Sequence, residues 1–149
     1  MLAIPYRTRS GVTSIRFRRI GEGAGPKYMS VPGDEPRIYN PNALLGDGPT
    51  IAICEGEIDT ITANEAGVSA VGIAGVSAWR SYFSRCFKGY SSVYILADGD
   101  DKGQGREFAD KVAAVVSNAR IIPMPTGHDV NSFVVEHGAA ALLSKLEKP

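Results

Sequence analysis

The segment Ile51-Ala52-Ile53-Cys54-Glu55-Gly56-Glu57-Ile58-Asp59 decides the fold class of this chain. Its first four residues are apolar and are followed at once by a turn signal, which predicts a short buried strand. Glu55 then lies at the carboxyl end of the strand, Gly56 permits a tight turn, and a helix is predicted over 57–66. Because open α/β sheets usually bind ligands at the carboxyl ends of their strands, Glu55 is a candidate functional residue.

The same arrangement recurs further along the chain. Residues 93–97 predict a second buried strand, and Asp98-Gly99-Asp100-Asp101 and a helix from about Gly105 follow it. Neighbouring parallel strands end at the same edge of a sheet, so we expect Glu55, Asp98 and Asp100 to converge there. Hard cations such as Mg²⁺ take oxygen ligands, usually one or two protein carboxylates plus substrate phosphates. The sequence therefore predicts a divalent-cation site, with Asp59 beside it.

Strands and helices alternate through the rest of the chain. Strands are predicted over 69–73 and 120–123, and helices over 78–87, 105–117, 130–136 and 139–146. Ser77 is a candidate N-cap for the helix over 78–87. This alternation predicts an α/β fold with about four mostly parallel strands and helices on both faces.

Residues 1–48 are predicted to form a small basic β-rich subdomain, and residues 49–149 the α/β domain. A hairpin is expected from 4–7 and 11–20 and a further strand from 27–31, before the boundary sequence Gly46-Asp47-Gly48-Pro49. Residues 1–50 carry seven Lys and Arg against four Asp and Glu, whereas residues 51–149 carry nine against twelve. A basic front and an acidic back suit a protein that holds phosphates beside metal ions, although a solvated surface explains this imbalance equally well.

The basic subdomain contains the candidate nucleotide- and DNA-binding residues. These are Arg16, Arg18, Arg19, Lys27 and Tyr28. On the predicted strand, Arg16 and Arg18 share one face and Ile15 and Phe17 the other. The arginines could bind phosphates opposite the metal site, or they could form only a solvated face.

The composition excludes several classes of protein. The chain of 149 residues is 44% hydrophobic and 21% charged, as is ordinary for a globular protein. No apolar stretch approaches the roughly 18 residues needed to span a membrane, and the N-terminus resembles no signal peptide. Its two cysteines are too few for a disulfide framework or a zinc ribbon. We therefore expect a cytoplasmic protein.

Each acidic residue also has a structural interpretation that the sequence leaves open. Glu55 could simply favour a helix dipole, although acids at two strand tips would repel one another without a cation between them. Asp129, with Asn131, could supply a further metal ligand or could cap the helix that begins at 130. His128 and His137 are more typical of a surface loop and a helix end. A calcium-binding EF-hand loop is excluded, because the residues after Asp100 lack its oxygen ligands.

Two motifs resemble the Toprim domain of topoisomerases, primases and related nucleases. They are Glu55-Gly56-x-x-Asp59 and Asp98-Gly99-Asp100, in that order and in the predicted strand context. Three further stretches resemble the catalytic core of bacterial and phage DNA primases. These stretches are the basic hairpin with Lys27-Tyr28, Gly75-Val76-Ser77, and Gly127-His128-Asp129-Val130-Asn131-Ser132-Phe133.

The resemblance implies template-directed synthesis of RNA primers from NTPs on single-stranded DNA, with Mg²⁺ or Mn²⁺. It implies that Glu55 organises the metal or acts as an acid–base group, that Asp98 and Asp100 are metal ligands, and that Asp59 and Asp129 assist them. Lys27 and one of Arg18 or Arg19 match basic residues that face the active site of that family. Nucleotidyl transfer needs cations and positioning more than other protein chemistry.

The chain also departs from the primase pattern. Asn131 stands where primases commonly carry a second Asp, and the sequence contains no zinc-binding module and no helicase-interacting part. We therefore expect a primase fragment or one half of a split enzyme of phage origin, with a zinc-binding primase domain and a replicative helicase on other chains. The alternatives are a small Toprim nuclease and a non-catalytic nucleic-acid-binding module of the replisome.

Overall fold

The computed structural model describes residues 1–147, so residues 148 and 149 of the predicted second domain lie outside the described residues. The chain begins with a three-stranded antiparallel sheet in the order β1-β2-β3. Its strands are β1 (Leu2–Thr8), β2 (Gly11–Arg18) and β3 (Tyr28–Ser30). The predicted hairpin and the further strand are both confirmed.

One face of this small sheet is directed at the rest of the protein. Ile4 and Tyr6 are buried, whereas their neighbours along β1 are exposed. Ile4 lies opposite Arg16, and Tyr6 lies opposite Ser14. Because directly opposite residues of an antiparallel pair share a face, the buried face carries the Arg16 guanidinium together with the Tyr6 phenol.

A four-stranded parallel sheet follows, in the order β5-β4-β6-β7. Its strands are β4 (Thr50–Cys54), β5 (Ala70–Gly72), β6 (Ser92–Ala97) and β7 (Ala119–Pro123). The central strands β4 and β6 are covered on both faces, which explains why both are almost continuously apolar. This sheet confirms the predicted α/β class.

Helices cover both faces of the parallel sheet, as predicted. They are α1 (Glu57–Glu65), α2 (Gln104–Ala113), α3 (Val130–His137) and α4 (Ala139–Glu147). Ala63, Phe133 and Leu142 bring α1, α3 and α4 into one hydrophobic cluster. Phe108 of α2 and Phe87 belong to the cluster on the opposite face. No helix within residues 1–147 is both long and apolar enough to cross a membrane.

Residues from the N-terminal part and from α1 cover the outer edge of β5. Tyr39 exchanges two backbone hydrogen bonds with Gly72, at 2.8 and 3.0 Å. The side-chain amides of Asn40 and Asn64 each donate to the Ala70 carbonyl at 3.0 Å. The two parts of the chain are therefore joined along a strand edge.

The predicted helix over 78–87 is wrong. Two short 3₁₀ segments, Val76–Ala78 and Ser81–Phe87, occupy this region, and Ser77 lies inside the first rather than capping a helix. Between them Trp79 has an extended backbone, at φ −63° and ψ 131°, and its indole is buried against the Phe87 ring. Aromatic packing thus determines this backbone more strongly than local helix propensity. The helix predicted over 105–117 also ends early, at Ala113.

Candidate metal centre

The carboxyl edge of the parallel sheet brings Glu55 and Asp98 together. β4 and β6 are parallel neighbours in which Cys54 pairs with Leu96, so the residues that follow both strands emerge side by side. They border a cavity of about 350 Å³. Its acidic lining residues are Glu55, Glu57, Asp59, Asp98 and Asp129. The convergence expected of Glu55 and Asp98 is present.

Glu55 and Asp98 each have one buried carboxylate oxygen without a hydrogen-bond partner in the described part of the chain. Glu55 Oε2 and Asp98 Oδ1 are buried and accept no hydrogen bond from any group of residues 1–147. An unsatisfied buried polar atom costs free energy. Two such oxygens at one cavity are the donor set that a hard cation prefers, so the residues fit Mg²⁺ or Mn²⁺.

The protonation equilibria of these two carboxyl groups support the same interpretation. Burial, followed by the negative charges of Asp100 and Asp59, raises the pKa of Glu55 to about 7. Burial, followed by the charges of Asp59 and Glu55, raises the pKa of Asp98 to about 8. Without a counter-ion Asp98 is therefore mostly protonated and Glu55 partly protonated at neutral pH, and a bound cation would take the place of those protons.

Asp59 is held rigidly beside this pair. It is buried on the first turn of α1, and its Oδ1 accepts a hydrogen bond from the Asn131 backbone N–H at 3.0 Å. Burial raises its pKa. The Asn131 side chain lines the same cavity, but its Oδ1 accepts from the Thr62 hydroxyl at 2.9 Å. Asn131 therefore supports Asp59 through its backbone and α1 through its side chain.

Asp100 has a different environment from Asp98. Its Oδ1 accepts from the Gln104 backbone N–H at 3.0 Å and its Oδ2 from the Gly105 N–H at 2.6 Å. These bonds lower its pKa, and it does not line the cavity. Asp100 thus binds the amino end of α2, and its role as a metal ligand stays a prediction.

Close backbone packing fixes the loop that carries Asp98 and Asp100. A side chain at Gly99 would overlap the carbonyl oxygens of Met124 and Pro125, and one at Gly105 would overlap the Asp98 backbone. Glycine is therefore required at both positions by space rather than by an unusual backbone angle.

Asp129 both caps α3 and lines the acidic cavity. Its Oδ1 accepts from the Ser132 backbone N–H at 2.7 Å, and the Ser132 hydroxyl accepts from the Asp129 N–H at 3.0 Å. This reciprocal pair is a capping box at the start of α3. Asp129 also lines the cavity, and its contribution to a metal site stays a prediction.

Cationic and aromatic side chains form the opposite wall of the cavity. Arg16, Arg18, Lys27 and Tyr28 line it, and the three cationic groups lie 4.9, 5.8 and 5.9 Å from the centre of the Tyr28 ring. Arg19 is directed elsewhere, because its Nη1 donates to the carbonyls of Gly23 and Gly25. Of the five predicted basic and aromatic residues, the structure brings four to the cavity.

Glu57 is a site residue that the sequence interpretation missed. Its carboxylate is buried and accepts from the Tyr6 hydroxyl at 2.7 Å and from Arg16 Nη1 at 2.5 Å. Glu57 thereby attaches the N-terminal sheet to the first turn of α1. In the sequence it resembled any acid at a helix start, because both partners are remote along the chain.

Comparison with known families identifies this arrangement. A family model for the Toprim domain matches residues 50–140, which is more than half of the chain. The chain belongs to the Toprim domain family.

The relatives of this Toprim chain include a phage protein and DNA primases. The Gene 57 protein of Mycobacterium phage D29 is 50% identical, over 97% of each chain. A DNA primase of Clostridium acetobutylicum is 26% identical, over 87% of this chain but only 23% of its own length. The Toprim chain therefore corresponds to nearly all of the phage protein and to about a quarter of that primase.

Solved primase structures share the fold of this Toprim chain. The DnaG catalytic core aligns with a TM-score of 0.80 at 22% identity, over 97% of this chain and 51% of that one. A DnaG catalytic domain bound to single-stranded DNA gives 0.79, with the same identity and coverage. The zinc-binding and RNA polymerase domains of the Aquifex aeolicus primase give 0.77 at 23% identity, over 97% of this chain and 39% of that one. Together with the family match, these alignments confirm the resemblance to the Toprim domain of primases.

Proposed function

We propose that this chain is a catalytic subunit or fragment of a DNA primase, which synthesises RNA primers on single-stranded DNA from NTPs. The observation that carries the proposal is the cavity in which two unsatisfied carboxylate oxygens face a cationic wall. A nucleoside triphosphate with its divalent cation has the complementary charge distribution. A primase structure with the same fold contains bound single-stranded DNA, which supports the assignment of the template.

Each wall of the cavity has a separate task in this proposal. Glu55 and Asp98 would hold Mg²⁺ or Mn²⁺, with Asp100 and Asp129 as additional ligands and Asp59 as their support. The cation would stabilise the charge that develops during phosphoryl transfer.

The cationic wall would bind the other charged groups of the reactants. Arg18 and Lys27 would bind phosphates, and Tyr28 offers a ring against which a base can stack. Arg16 is paired with Glu57, so its guanidinium would be fixed in orientation while its charge is balanced by that carboxylate. Glu55 is also a candidate acid–base group, because its pKa of about 7 lies near the operating pH.

The chain matches only part of the primases with which it aligns, so we propose that further components act with it. A zinc-binding primase domain and a replicative helicase on other chains are the expected partners. Since a phage protein is its relative at 50% identity, we propose that the chain acts in the cytoplasm of a bacterial host.

The decisive experiment is a primer-synthesis assay on a single-stranded template with labelled NTPs and Mg²⁺ or Mn²⁺. We expect short RNA products from the wild type. Glu55→Gln and Asp98→Asn should reduce synthesis at least about a hundredfold, since even hydrogen-bond partners of metal ligands contribute about 10- to 100-fold. Asp47→Asn, an exposed acid in the boundary segment, is the matched control and should retain activity.

Two other outcomes would replace the proposal. Metal-dependent cleavage of the template without synthesis would assign a Toprim nuclease. Single-strand binding that is identical in wild type, Glu55→Gln and Asp98→Asn, with no metal-dependent chemistry, would assign a non-catalytic module.

A further inference from the structure

Both histidines of the chain lie in one cluster at the end of α3. His128 precedes α3, and Glu136 and His137 occupy its last turn. His128 Nε2 lies 2.8 Å from Glu136 Oε2, and His137 Nε2 lies 3.7 Å from Glu136 Oε1. One ligand atom from each of the three side chains falls within 4.8 Å of the other two.

Packing orients the two imidazole rings toward the carboxylate. His128 Nδ1 is directed at the Thr126 carbonyl oxygen, 3.4 Å away, and Nε2 at Glu136. At 2.8 Å the contact between Nε2 and Glu136 Oε2 is a hydrogen bond that His128 donates, and a bound cation would take the place of that proton. The Phe133 ring contacts both imidazoles, with ring centres 6.4 Å from His128 and 4.8 Å from His137. A histidine whose second nitrogen meets a backbone carbonyl is the usual arrangement in metal sites.

We propose that His128, Glu136 and His137 bind a first-row transition-metal cation of the Zn²⁺ type. Two imidazole nitrogens and one carboxylate oxygen suit such ions and leave a fourth position for water. Metal–ligand bonds of about 2.0–2.1 Å place neighbouring ligand atoms of a tetrahedron about 3.4 Å apart. The distances of 2.8 and 3.7 Å run to the two different oxygens of Glu136, and the three ligand atoms lie within 4.8 Å of one another, so rotation of these partly exposed side chains would bring the ligand atoms to the spacing of a tetrahedron. The carboxyl end of α3 adds a favourable dipole.

This site is separate from the acidic cavity in both position and chemistry. None of its three residues lines that cavity, whose acidic ligands all offer oxygen. Nitrogen ligands favour Zn²⁺ over Mg²⁺, so the two sites would select different ions from a mixture.

The proposed metal site would restrain the loop of residues 98–100, which carries Asp98 of the acidic cavity. The His128 carbonyl accepts from the Gly99 N–H at 2.8 Å, and the Gly127 N–H donates to the Gly99 carbonyl at 2.7 Å. Gly99 joins Asp98 to Asp100, and Asp129 follows His128 directly. A cation that fixes His128 to the end of α3 would therefore also restrain the loop that carries Asp98.

Histidine NMR of the full chain tests this proposal directly, because its only two imidazoles both belong to the site. The protein is first stripped of bound metal, and Zn²⁺ is then titrated in a buffer that contains millimolar Mg²⁺. The Mg²⁺ is present to compete for the proposed cation site of the acidic cavity. We expect both imidazole spectra to change together and to reach their final form at one equivalent of Zn²⁺. Glu136→Gln, an exposed substitution, should weaken binding at least about tenfold while both imidazoles remain observable.

The Cys86 thiol is exposed and could also bind Zn²⁺. Cys86→Ser is therefore the matched control, and it should bind Zn²⁺ as the wild type does. Imidazole signals that stay unchanged at about 100 µM Zn²⁺ would overturn the proposal. A change at only one histidine, or wild-type affinity in Glu136→Gln, would overturn it as well.

Discussion

The protein holds Asp98 in a position that opposes its ionisation. Its raised pKa means that the protonated group contributes stability in full below about pH 4, the ordinary carboxyl range. That contribution is lost as the pH rises through about 8. In the proposed primase, a cation bound to ionised Asp98 would balance its charge and offset this loss of stability.

Asp98→Asn is therefore predicted to stabilise the metal-free protein. At pH 8 we expect a gain on the order of 2 kcal/mol in the free energy of unfolding, after allowance for partial solvent exposure. The gain should shrink as the pH falls and vanish below about 4, where wild-type Asp98 is protonated in both the folded and the unfolded state. Urea unfolding in EDTA at several pH values measures it, with Asp47→Asn as the control. A variant less stable than the wild type at pH 8 would contradict the prediction.

Glu57 presents the opposite case, a buried carboxylate whose partners are in place. Glu57→Gln should lower the free energy of unfolding by about 1–3 kcal/mol, because it leaves Arg16 without its counter-charge. Tyr6→Phe should cost less, about 1 kcal/mol, since it removes one hydrogen bond. Denaturant unfolding of both single variants and the double variant measures the coupling. Strictly additive losses would show that the three groups do not act as a unit.

At the scale of elements, Asp129 caps α3 and is also a proposed metal ligand. Ser132→Ala removes half of the capping box and should cost about 1 kcal/mol of stability, while metal affinity stays the same. Asp129→Asn keeps a good N-cap residue but removes the charge, so it should retain stability and bind Mn²⁺ more weakly. Thermal unfolding and Mn²⁺ calorimetry on both variants separate the tasks. Equal Mn²⁺ affinity in wild type and Asp129→Asn would exclude Asp129 as a ligand.

The elements also show where local rules of sequence fail. The positions of Glu55 and Asp98 at the carboxyl ends of β4 and β6 could be predicted because the end of a buried strand is a local signal, whereas their roles as metal ligands stay predictions. Asp98 and Asp100 were expected to act alike, since alternate residues of an extended segment share a face. Helix α2 begins only four residues after Asp100, and its first N–H groups bind the Asp100 carboxylate. Asp98 therefore lines the cavity, whereas Asp100 does not. The helix over 78–87 failed because the burial of Trp79 overrides local propensity.

At the scale of the whole molecule, cationic residues of the N-terminal sheet and acids at the carboxyl edge of the parallel sheet line one cavity. Arg18→Ala and Lys27→Ala should each weaken single-stranded DNA or NTP binding and reduce the salt dependence of binding by about one ion. Arg19→Ala should leave binding nearly unchanged, because the 21–25 loop holds its guanidinium. Fluorescence anisotropy over a range of salt concentrations measures these effects. A loss in Arg19→Ala equal to that in Arg18→Ala would restore Arg19 to the binding surface.

The sequence predicted most of this arrangement, and its gaps have a common cause. The order of strands and helices, the acidic edge and the basic hairpin follow from local patterns and from the Toprim motifs. Glu57 was missed because its partners Tyr6 and Arg16 lie 51 and 41 positions away, and no local pattern signals them. The His128 cluster likewise forms only when the loop before α3 folds back on the end of that helix.

The covered edge of β5 closes one route by which the parallel sheet could pair with a sheet of another molecule. An exposed strand edge offers free N–H and C=O groups that recruit strands from other molecules, which leads to aggregation. Here Tyr39, Asn40 and Asn64 occupy the outward-facing groups of Ala70 and Gly72. Residues 1–48 therefore cover this edge of the parallel sheet, and they also supply the cationic side chains of the cavity. A Toprim unit that began at residue 49 would keep only Asn64 at this edge and would tend to join its copies sheet to sheet.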